Sequence, residues 1–199
     1  VNPDSIDPKD KNKTALHIAC ENGDLEMVKL LDEYGSDFEA LDFEQMTPIF
    51  YALYSENIEV VEYLINKGVN IEKEDCQNRT PFYWACCQCS TTMVDYLYKK
   101  GVNINTLSKM RRTPLSKAAY IGRADVVAQL LKYPEIQINQ QGNRGRTALH
   151  TAVWGIEGGR EGKKVGSGSK DDCPEAAKLL LEAGADVNIQ RSEERRVGK

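Results

Sequence analysis

Cys86 and Cys89 stand in the spacing Cys-x-x-Cys, with Cys87 between them and Cys76 nearby. Thiolates so placed can hold zinc or cycle as a redox pair. A structural zinc needs four ligands converging tetrahedrally, and neither a second paired motif nor a neighbouring His supplies the rest. His17 and His150 are the only histidines, and no Ser, His and Asp set stands apart as a nucleophilic site. Gly162-Lys163 invites comparison with a phosphate-cradling loop, which needs Gly five positions before Gly162 and Ser or Thr after the Lys. Glu157 and Lys164 occupy those positions. No catalytic, cofactor-binding or metal-ligating residue is assigned, and the chain is read as a non-enzyme.

The bulk composition agrees with a folded binding protein. With 199 residues and 41% hydrophobic content the chain can bury a core. No apolar run reaches the length of a membrane span, and Val1-Asn2-Pro3-Asp4 lacks the basic and apolar regions of a signal peptide. Three of the six cysteines crowd together, which suits reduced thiols better than a disulfide framework. An intracellular protein, cytoplasmic or nuclear, without membrane insertion is expected. The net charge of -4 excludes no class of partner, because a ligand responds to local charge.

A period positions these residues. Thr14-Ala15-Leu16-His17, Thr47-Pro48-Ile49-Phe50, Thr80-Pro81-Phe82-Tyr83, Thr113-Pro114-Leu115-Ser116 and Thr147-Ala148-Leu149-His150 begin 33, 33, 33 and 34 residues apart. Thr before Pro reads as a helix start. Ala19, Ala52, Ala85, Ala118 and Ala152 follow at one fixed distance, small enough for close helix contact. A second amphipathic helix then carries Met27, Val28 and Leu31 and their equivalents, and Gly35, Gly68, Gly101 and Gly184 stop it. Turn-forming stretches such as Gly142-Asn143-Arg144-Gly145-Arg146 lead to the next Thr.

Helix, turn, helix and hairpin-like loop, repeated five times, resembles the ankyrin repeat, whose signature contains the Thr-Pro-Leu-His tetrad. The resemblance implies an all-α solenoid, with units at approximately 4–36, 37–69, 70–102, 103–136 and 137–190. Glu56 and Cys89 replace the inter-helix Gly, and the fourth unit gains a residue around Pro134. The fifth is interrupted by a glycine-rich insertion, 155–172, so its second helix is expected over Glu175 to Ala183. Arg191 to Lys199 break the pattern, and one set of codons for them spells the start of a sequencing-library adapter. This tail is read as non-native, with the array continuing past Gln190.

The resemblance also implies a binding surface: hairpin tips and first helices line a concave face. Family positions that vary and contact ligands fall on Phe43, Met46 and Tyr54 in unit two and on Arg79 in unit three. Lys109, Met110, Arg112, Tyr120 and Ile121 represent unit four, and Arg144, Arg146 and Trp154 unit five. The tips turn basic from Arg79 onward, whereas Asp10, Asp42 and Glu44 lie toward the other end. Phe43, Met46, Tyr54, Tyr120, Ile121 and Trp154 are expected to be exposed. Aromatics with Arg are the composition of interface hot spots, so a monomeric array that binds a protein or peptide with apolar anchors and acidic flanks is expected. The alternatives are the recognition arm of a larger enzyme, channel or ubiquitin-ligase adaptor, or nucleic-acid binding, disfavoured, through the basic tips. Leu180, Asp186 and Asn188 resemble the leucine, acidic residue and target asparagine of ankyrin hairpins that asparaginyl hydroxylases modify.

Overall fold

The structure, a computed structural model, describes residues 4–6, 8, 10–156 and 173–191. The insertion beyond Ile156 and the tail beyond Arg191 lie outside the described residues. Thr14, Thr47, Thr80 and Thr113 are extended, with φ of −88°, −87°, −78° and −79°, and each directly precedes a helix. The Thr80 and Thr113 hydroxyls accept from the amides of Tyr83 and Ser116 at 3.3 and 3.0 Å. Pro48, Pro81 and Pro114 begin their helices, where an amide would have had no partner.

In the first unit His17 does this work instead. Its Nδ1 accepts from the Thr14 amide at 3.1 Å and lies 2.8 Å from the Thr14 hydroxyl. That leaves Nε2 protonated, to donate to the Met46 carbonyl at 3.1 Å and tie unit one to unit two. Burial holds the His17 pKa below its ordinary value. The folded chain keeps this His neutral, while the unfolded chain takes up a proton below about pH 6.5. The stability from His17 is therefore complete above that pH and is lost as pH falls, at up to about 1.4 kcal/mol per pH unit. Urea unfolding at pH 7 and pH 5 should show a drop that is smaller in His17→Asn.

The described residues form five helix pairs and no strand. First helices are α1 (Ala15–Glu21), α3 (Pro48–Tyr54), α5 (Pro81–Gln88), α7 (Pro114–Ile121) and α9 (Ala148–Ile156). Second helices are α2 (Leu25–Glu33), α4 (Ile58–Asn66), α6 (Thr91–Lys99), α8 (Ala124–Leu130) and α10 (Cys173–Glu182). Gly155 and Ile156 continue α9 and do not open the insertion. Consecutive first helices pack on one another, with Ala19, Ala52, Ala85, Ala118 and Ala152 all buried at the crossings. Val28, Leu64, Leu97, Leu130 and Leu180 fill the core from the second helices.

Each second helix but α8 is followed by a glycine at φ between +79° and +86°: Gly35, Gly68, Gly101 and Gly184, the left-handed stop the sequence predicts. Helix α8 ends earlier, and turns through Tyr133 and Ile136 accommodate the added residue near Pro134. Glu56 adopts the glycine conformation it replaces, at φ +54°, whereas Cys89 stays extended at φ −98°.

The hairpin tips close on themselves and on each other. Asp42, Asp75, Ser108 and Gly142 amides donate to the carbonyls of Met46, Arg79, Arg112 and Arg146. Between tips, the amides of Phe43, Cys76, Lys109 and Asn143 donate to Lys11, Glu44, Gln77 and Arg111 at 2.8, 2.8, 2.7 and 3.1 Å. The last of these bonds brings two backbones so close that a Cβ on Gly142 would overlap the Arg111 carbonyl oxygen. Gly142→Ala should cost about 1–3 kcal/mol, as overpacking does, and lower Tm by several degrees.

Candidate binding face on the first helices

The residue before each tetrad Thr decides what lies across the first-helix face. Four of the five are cationic, and each of those sits over an aromatic ring. Lys13 Nζ is 4.8 Å from the Tyr51 centroid, and the guanidinium carbons of Arg79, Arg112 and Arg146 are 4.7, 4.6 and 4.2 Å from Trp84, Tyr120 and Trp154. Lys117 Nζ also lies 5.3 Å from the Tyr120 centroid. Tyr120 and Trp154 meet in turn, centroids 5.6 Å apart and tilted by 44°. Units three, four and five each carry such a pair, and the rings of units four and five touch.

Met46 is the exception and a correction to the expected exposure: it is only 6% exposed. Met46 packs into the hydrophobic core, and charge alone does not decide the burial of this position, since Lys13 of unit one is only 8% exposed. Tyr120, Ile121 and Trp154 are half-buried, not fully exposed, as are Arg79, Arg112 and Arg146. Phe43, Tyr54 and Met110 are exposed, at 76%, 65% and 57%, and Lys109 and Arg144 stand out at the tips.

Electrostatics divide the row. Toward unit one the cations are matched: Lys13 pairs with Glu21 at 2.7 Å and Asp10 at 3.5 Å, and Lys11 with Glu44 at 2.8 Å. In unit three the buried Asp75 carboxylate accepts from Arg79 Nε at 2.7 Å, the Trp84 indole at 3.0 Å and two tip amides. Arg112 has no carboxylate partner among the described residues. Between units three and four lies a depression of about 130 Å³, bordered by Trp84, Tyr83, Ser108, Met110, Arg112 and Lys117.

Sequence reasoning overlooked Trp84 and Lys117, four positions after Thr80 and Thr113. A helix places that position on the same face as the one seven after, so the period could have found both. It also overlooked Arg123, where other units carry the capping residues Asp24, Asn57 and Ser90. The Arg123 side chain is buried and reaches back into unit three, donating to the Cys89 carbonyl at 2.7 Å.

The Cys-x-x-Cys pair lies in the interior. Cys86, Cys87 and Cys89 are free and buried. Burial pushes the Cys87 thiol up to about 11 and the Cys89 thiol up to about 12, and the Cys89 thiol donates to the Leu53 carbonyl at 3.1 Å. Asn188 is exposed in the last turn, its amide bonded to Asp186 Oδ1 at 2.8 Å. Its equivalents Asn105 and Asn139 accept from the amides of Gln137 and Asp186 in the next unit at 3.0 and 2.9 Å.

Among the described residues no helix is long and apolar enough to cross a membrane. No curated protein matches the chain. The family profile described as ankyrin repeats (3 copies) matches residues 16–108 and again 104–191. With stacked helix pairs, left-handed stops and hairpin tips bonded in register, the chain belongs to the ankyrin-repeat family.

Proposed function

We propose that this chain is a protein-interaction module that takes a protein or peptide partner on its first-helix face, chiefly in units three to five. Ankyrin repeats are generally protein–protein interaction modules and are typically non-catalytic. The placement on this face rests on one observation: three consecutive units each lay an arginine on an aromatic ring, and a shallow depression lies between the first two of them. Such rings gain contact area on binding without much further loss of side-chain freedom, because the arginines already hold them. The partner carries apolar anchors for the rings and acidic flanks for Arg112, Arg144 and Lys109. The same face would serve as the recognition arm of a larger enzyme, channel or ubiquitin-ligase adaptor, which the full-length transcript would reveal.

The test is capture of a partner by this chain followed by titration against Arg112→Glu and Arg144→Glu. Both should chiefly slow association and flatten its salt dependence. Binding of any polyanion regardless of sequence, with a steep loss in salt, would instead indicate a nucleic-acid surface.

Asn188 is a proposed hydroxylation site, on the resemblance of Leu180, Asp186 and Asn188 to the modified hairpins and on its exposure. Mass spectrometry of the native protein should find a fraction with one added oxygen at Asn188. Complete absence where such a hydroxylase is active would refute it.

A further inference from the structure

We infer that Ser108 sets the charge preference of the binding face: standing where unit three carries Asp75, it leaves the Arg112 guanidinium open to an Asp or Glu side chain of the partner. This rests on the binding face proposed above and adds which residue decides where that face takes an acid.

Asp75 and Ser108 hold the same place in successive hairpin tips, five residues before Thr80 and Thr113 and four before Arg79 and Arg112. The amides of both donate to the carbonyls of those arginines at 3.1 Å. Both side chains accept from the arginine amides, Asp75 Oδ1 at 2.9 Å and Ser108 Oγ at 3.2 Å. Beyond that bond the two tips differ. The second oxygen of Asp75 accepts from Arg79 Nε at 2.7 Å, lies 2.6 Å from its Nη2 and takes the Trp84 indole hydrogen at 3.0 Å. A serine hydroxyl already bonded to the tip amide brings neither a charge nor a second oxygen. Arg79 lies over Trp84, four residues after Thr80, whereas Arg112 reaches Tyr120, seven after Thr113.

Arg112 therefore brings its fork of donors to the face with no carboxylate partner among the described residues. It is half-buried and rests on the Tyr120 ring. A guanidinium positioned in this way meets a carboxylate with two parallel hydrogen bonds, which a side-chain amide cannot reproduce. The adjoining depression is bordered on its unit-three side by Trp84, where Asp75 already matches the Arg79 charge. An apolar side chain is favoured there, so the acid goes to unit four and its apolar neighbour to unit three. The face continues past Arg112 to the Tyr120 and Trp154 rings. A ligand that also covers those rings runs on beyond the acid, which is then a side chain within it and not a chain terminus.

Random dodecapeptides, displayed without a free C-terminus and selected on the whole chain, are the probe, and those enriched are then synthesised as C-terminal amides. They should contain Asp or Glu, and replacing that residue by Asn or Gln should weaken binding about tenfold. Ser108→Asp places a carboxylate four residues before Arg112, as Asp75 stands before Arg79, and should abolish the difference between acid and amide. The reverse exchange, Asp75→Asn, keeps an acceptor for the tip amides and unmatches Arg79, so peptides with a second acid should gain affinity. It decides the matter if Ser108→Asp does not fold. An acid preference that survives in folded Ser108→Asp, the absence of that gain where only Asp75→Asn folds, or a native chain that selects no acidic peptide would overturn the role of Ser108. The binding face would still stand if Trp154→Ala loses the same peptides or a captured partner. Peptides that bind undiminished to both Trp154→Ala and Arg112→Gln would overturn the face as well.

Discussion

Arg123→Ala should lose about 2–4 kcal/mol of stability, among the largest effects of any single substitution in the chain. The Arg123 side chain is 3% exposed. Its Nη2 donates to the Cys89 carbonyl at 2.7 Å and to Asp125 Oδ2 at 2.8 Å, its Nε to Asp125 Oδ1 at 3.0 Å, and its Nη1 reaches the Cys87 carbonyl at 3.5 Å. Burial opposes the charge, but the hydrogen bond and charge of Asp125 outweigh it and raise the Arg123 pKa. Removal leaves the carbonyls at the end of α5 without these donors, at about 1–3 kcal/mol for a buried group, and opens a void between units three and four. Tm should fall by about 5–15 °C. Asp125 is 54% exposed and can rehydrate, so Asp125→Ala should cost no more than about 1 kcal/mol. Equal losses in the two variants would mean that the ion pair, and not the capping of α5, holds the units together.

Trp154→Ala should weaken a native partner about thirtyfold, since truncating a buried aromatic hot spot costs about 2 kcal/mol or more. Tyr120→Ala should act in the same direction, because the two rings meet at 5.6 Å and share one surface. The ring also supports Arg146, whose guanidinium lies 4.2 Å from the Trp154 centroid, so the loss combines contact area with a displaced charge. Phe43→Ala and Tyr54→Ala, at exposed sites in unit two away from the arginine row, should change affinity less than tenfold. Titration calorimetry with the four variants gives the ranking. A larger loss in Phe43→Ala than in Trp154→Ala would move the site to the other end of the stack.

The period made the fold legible because each unit must fill the same space beside its neighbour. Thr113, Ala118 and Leu130 are confined by contacts that recur in every unit, and their spacing shows it. The binding face was only partly legible. The burial of a residue such as Met46 depends on what packs around it, and the period does not carry that information. Trp84 stands on a position that Tyr51, Lys117 and Thr151 fill with other chemistry, so repetition gives it no signature. Arg123 escaped because its role depends on the extended turn at Cys89, a single departure from the glycine-like turns at Gly23, Glu56 and Gly122.

The most direct measurement of where a partner sits is photo-crosslinking of the complex from two positions. One photoreactive side chain replaces Met110, exposed at the rim of the depression between units three and four. The other replaces Glu62, exposed on the second helix of unit two. Crosslinks to the partner from position 110 and none from position 62 are the expected result. Crosslinks from 62 and none from 110 would contradict binding on the first-helix face.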